Sequence, residues 1–152
     1  MKITLAQALK EKNRLAGEIN HLWSLVQREN SCWDNHTRCI DIRETLETIG
    51  TYTEKLIELK TKIGKANKDN LENMYSLEEL KSKISKLDGM ETEEDVKYMG
   101  VQGTVKMVRS PDVTASEVLK MKKELQIRCN QLQDALDTYN VRNTIDFDTP
   151  LK

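Results

Sequence analysis

Aromatic side chains are scarce in this chain, with one Phe, two Trp and four Tyr among 152 residues. A core rich in rings is excluded, and whatever core exists must come from Leu, Ile and Val stripes. Cysteine is sparse too, and its number, three, is odd. An odd count excludes a complete intrachain disulfide framework and fits a reduced, cytoplasmic setting. No apolar run approaches the ~20 residues of a membrane span. The opening Met1-Lys2-Ile3-Thr4-Leu5 lacks the apolar stretch and cleavage site of a secretory signal. Neither sign of charge prevails: 24 Lys and Arg stand against 25 Asp and Glu, for a net charge of −1. That balance argues against a nucleic-acid partner, whose phosphates call for clustered positive charge. It argues equally against attachment to an acidic membrane surface.

What the chain does contain is a heptad written twice. Ile42, Ile49, Leu56 and Ile63 fall seven apart, as do Val118, Leu125, Leu132 and Tyr139. Leu46, Leu59 and Ala66 fill the intermediate positions of the first run; Met121, Cys129 and Leu136 fill those of the second. An apolar residue about every 3.5 positions makes a seam that must be buried against another helix.

Local signals set the boundaries. Thr4 with Gln7 has capping-box spacing and predicts a first helix over about 4–29, with Leu5, Leu9, Leu15, Ile19, Leu22, Trp23 and Val26 on its buried face. The polar stretch 30–39 reads as a loop. A second helix over 41–66 carries the first seam. Gly50 and Gly64 weaken it by up to ~1 kcal/mol each relative to Ala. Positions 67–75 read as a polar turn, and Ser76 with Glu79 caps a short helix over 76–88 that Gly89 ends. Two short strands around Gly100-Val101-Gln102-Gly103 predict a β-hairpin over 96–108. Ser110-Pro111-Asp112 breaks the chain before Thr114 and Glu117 cap a last helix over 114–139. The tail, 140–152, shows no periodicity. The reading is a single, mainly α domain over 1–152: an antiparallel coiled-coil-like helical bundle with one small β-hairpin. Three long helices with one short one leave apolar surface over, so a homo-oligomer is expected.

Several short matches, in order, carry a resemblance. They are Leu5-Ala6-Gln7-Ala8-Leu9, Ile63-Gly64-Lys65-Ala66-Asn67, Val105-Lys106-Met107-Val108 leading to Pro111-Asp112-Val113, and Leu136-Asp137-Thr138 before Asn143-Thr144. Together they resemble the septicolysin-like family of small helical proteins of bacteria and their viruses, which has no established biochemical role. The resemblance implies a helical fold over nearly the whole chain and no catalytic motif. The family label suggests a cytolysin, but no membrane-inserting stretch is present to support one. The chain departs from the family pattern at 31–39, where an acidic connection is more usual.

That loop holds the sharpest chemical cluster, Cys32, His36 and Cys39. Thiolates and an imidazole suit zinc. A closed structural site needs four ligands, however, and the other histidine, His21, lies on the first helix. The loop therefore reads as a helix connection with Trp33 packing over the bundle end, and no metal or cofactor is expected. Cys32 with His36 lacks the third group that orients a catalytic base. Cys129 on its seam behaves as a small hydrophobe. Adjacent carboxylates such as Glu93 and Glu94 point apart on a helix. No catalytic residue is assigned, and the chain does not read as an enzyme. The glycine turn lacks the Lys-Ser/Thr ending of a phosphate loop, yet Lys97, Tyr98, Lys106 and Arg109 gather around it. Copies of that cluster converging in an oligomer could hold an anionic small molecule, with guanidinium and ammonium on phosphate and Tyr against a ring. The expected role is a non-enzymatic, oligomeric binding or scaffolding protein of the cytoplasm. The alternative is a sponge for an anionic nucleotide-type signalling ligand at subunit interfaces, which would suit a viral protein in a host cytoplasm.

Overall fold

The computed structural model describes residues 1–148; the end of the expected tail, 149–152, lies outside the described residues. The chain is mainly α, with four helices and two small antiparallel strand pairs among the described residues. The described residues divide into two compact units, one formed by Met1–Asn70 with the described chain from Asp137, the other by Leu71–Leu136.

In the first unit, strand β1 (Lys2–Thr4) runs directly into helix α1 (Leu5–Glu29). Thr4 makes the capping box that its spacing predicts. Its hydroxyl accepts the Gln7 N–H at 3.1 Å, and the Gln7 side chain accepts the Thr4 N–H at 2.9 Å. Helix α2 (Ile42–Ala66) starts at Asp41, whose carboxylate accepts the Glu44 N–H at 3.0 Å. The two helices are antiparallel: Leu5, Ala8 and Leu15 pack with Leu59 and Ile63, whereas Ile19 and Val26 pack with Ile49. Each fully buried Leu or Ile of that stripe contributes roughly 1.5–3 kcal/mol. Along the α2 seam Ile49 and Ile63 are buried, Ile42 and Leu56 half-buried, and Leu46 exposed.

The tail read from 140 as lacking periodicity nevertheless carries regular structure. Helix α4 (Ala115–Arg142) runs three residues beyond 139, and strand β4 (Thr144–Asp146) pairs antiparallel with β1, Ile3 facing Ile145. Ile145 and Phe147 alternate with exposed Thr144 and Asp146, so both enter the core beside Ile3. Lys62 donates to the Asp146 carbonyl at 2.6 Å, and the Tyr139 hydroxyl donates to the Ala66 carbonyl at 2.6 Å. A three-residue strand is too short to show a period, and its partner lies at the other end of the sequence.

The second unit pairs helix α3 (Leu71–Asp88) with most of α4. Leu77 packs with Cys129 and Leu136, and Asp88 pairs with Lys122, so these helices too are antiparallel. On the second seam Val118 is buried, and Leu125, Leu132 and Tyr139 are half-buried. Helix α3 starts at 71 rather than 76. A 3-10 turn over Lys68–Asn70 leads into it without a break, Leu71, Glu72 and Met74 are all good helix formers, and Ser76 sits inside the helix. Strands β2 (Asp95–Met99) and β3 (Val105–Arg109) form the predicted hairpin, one residue longer at each end. Its turn holds Gly100 at φ 88° and Gly103 at φ 69°, left-handed backbone that favours glycine. A Cβ on Gly100 would stand 3.1 Å from the Thr104 hydroxyl.

Candidate functional site

Two features outside the helix pairs carry chemistry: the loop after α1 and the hairpin. The loop is organised by Glu29, a residue the sequence reading passed over. The residue is 6% exposed, at the last position of α1. His36 Nε2 lies 3.0 Å from one carboxylate oxygen, and Arg28 Nε donates to the other at 3.2 Å. Arg38 donates to the backbone carbonyls of Glu29 and Asn30 at 2.9 and 3.1 Å, satisfying groups that a helix end leaves open. The sequence clue was Glu29 itself, an acid at the negative end of a helix dipole, where it needs cationic company.

These partners set the acidity of Glu29. The His36 hydrogen bond, followed by those from Arg28 and Cys39, outweighs the cost of burial and lowers its pKa from 4.5 to about 2. A carboxylate depressed on folding stabilises the native state above its unfolded pKa, and that contribution is lost as pH falls through the folded value. The loop anchor is therefore expected to hold down to about pH 4.5 and fade towards pH 2. Titration of the Glu29 carboxyl carbon by NMR checks this, and His36→Ala should move the midpoint upward. A midpoint near 4.5 in the unaltered protein would contradict the assignment.

Trp33 does not pack over a helix end: it is 84% exposed. Cys32 is half-buried, and Cys39 is exposed. Among the described residues, no three His, Cys, Asp or Glu side chains are gathered so as to hold a metal ion.

The hairpin separates the four candidate ligand residues. Opposed residues of an antiparallel pair share a face, and neighbours along a strand alternate. Tyr98 opposes Lys106 and Val96 opposes Val108 on one face. Lys97 opposes Met107 and Asp95 opposes Arg109 on the other. Arg109 is already engaged, with Glu91 and, at 3.7 Å, with Glu93. A shallow depression of about 210 Å³ is lined by Asp95, Lys97, Met107, Val108 and Arg109. Every residue of both strands is exposed, including Val96, Met99, Val105, Met107 and Val108.

Comparison with family models, curated proteins and solved structures finds no match to this chain. Among the described residues, no helix is long and apolar enough to cross a membrane.

Proposed function

We propose that this protein is a non-enzymatic, cytoplasmic binding or scaffolding protein that works as a homo-oligomer, and that it belongs with the septicolysin-like family. One observation carries the oligomeric reading: a two-stranded ribbon rich in Val and Met that is bare on both faces. Such a hairpin is marginal in water unless further strands or a helix cover it. Exposed Leu119 and Ile127 on α4, and Ile57 on α2, add apolar surface beyond the ribbon. Because the buried surface is apolar, assembly should resist salt. Light scattering at micromolar concentration, in low and high salt, is expected to return the same oligomer; a monomer in both overturns the reading.

The competing reading, capture of an anionic nucleotide-type ligand, is supported by the depression that holds Lys97 and Arg109. A ligand that binds only the native state raises apparent stability by roughly 2.7 kcal/mol at a hundredfold excess over its Kd. Thermal shift against mono-, di- and cyclic nucleotides is expected to show one clear rise that Lys97→Ala removes. No rise across the panel rejects capture.

A further inference from the structure

We propose that two copies of this chain dock through the free edge of β3, antiparallel and centred on Met107, to build a four-stranded sheet. The inference rests on the oligomeric reading above and names the surface it uses. β3 is paired with β2 on one side, in a sheet of two strands. The backbone donors and acceptors of its other edge are a template for another strand.

The register follows from symmetry and charge. A two-fold axis perpendicular to the sheet keeps each side chain on its own face, so a strand can pair with its copy only about a residue, never between two. Centring on Met107 overlaps all five residues, Val105–Arg109. Met107 then faces Met107 of the second copy, Lys106 faces Val108, and Val105 faces Arg109. No like charges meet. The β2 edge fails the same test, because its full overlap is centred on Lys97 and sets that ammonium against its own copy. Arg109 adds little repulsion, since Glu91 and Glu93 already counter it. On the Met107 face the joined sheet brings Val105, Met107 and Met99 of both copies into one apolar strip, from residues that are each bare in the single chain.

The test uses the full chain with Cys32 and Cys39 changed to Ser, in three further forms: Met107→Lys, Met107→Cys and Lys97→Cys. Directly opposed residues of an antiparallel pair have Cα atoms about 4.5–5.5 Å apart, within disulfide range. Met107→Cys should cross-link to a dimer on mild oxidation, whereas Lys97→Cys should not. Met107→Lys should raise the dissociation constant at this contact by about tenfold or more, because like charges then meet at its centre. If the parent assembles, yet Met107→Lys keeps full mass and Met107→Cys does not cross-link, the β3 edge is overturned and the oligomeric reading survives. If the parent is monomeric, both fall. Should Met107→Lys lose its fold by circular dichroism, the cross-linking pair decides alone.

Discussion

Phe147→Ala is expected to destabilise the protein by about 3–5 kcal/mol, the usual cost of deleting a buried ring. The ring is 1% exposed and sits in one cluster with Ile3, Leu5, Leu59 and Ile145. Its backbone is held as well: the Phe147 N–H donates to the Met1 carbonyl at 2.9 Å, and the N-terminal amine pairs with Asp148 at 2.8 Å. Removing the ring leaves a cavity in a cluster built from α1, α2, β1 and β4. For a domain of this size the melting temperature should fall by roughly 10 °C. Urea denaturation of the variant checks it. A loss below about 1 kcal/mol would show that the strand pair is not part of the core.

The second large effect is on the proposed assembly. Leu125→Asp is expected to lower the order of the proposed oligomer, because Leu125 is a half-buried seam residue of α4 that lies outside the packed cluster of Leu77, Cys129 and Leu136. Leu132→Asp is the informative comparison. Leu132 packs against that cluster, so a carboxylate there must be desolvated within the unit itself. It should reduce both the order and the unfolding midpoint, while Leu125→Asp lowers mass with little change in midpoint. Light scattering beside thermal unfolding separates the two. If Leu125→Asp keeps full mass, the second seam plays no part between subunits.

The helices were legible because their signals are local and repeated. Ile49, Leu59 and Ile63 recur along α2 at the spacing of one helical face, and Thr4–Gln7 closes its capping box within a single turn. Ser76–Glu79 has the same spacing and misleads, because a capping signal marks a helix start only where the preceding chain cannot already be helical. Leu71, Glu72 and Met74 offer no such obstacle. β4 was hidden for the opposite reason: Ile145 acquires meaning only beside Ile3, a pairing that no local window contains. The candidate sites were legible as composition and not as arrangement. Lys97, Tyr98, Lys106 and Arg109 lie close in sequence, but the two-residue alternation of strands divides them between faces. Glu29 gains its meaning only with His36 and Arg28 placed against it, contacts that no local pattern announces.

The proposed assembly of copies, through a bare ribbon and half-covered helix seams, is read most directly by native mass spectrometry. Sprayed at micromolar concentration without stripping small molecules, the protein should appear as a discrete multiple of its 17.6 kDa chain mass. A spectrum dominated by the single chain, unchanged on further concentration, would contradict it.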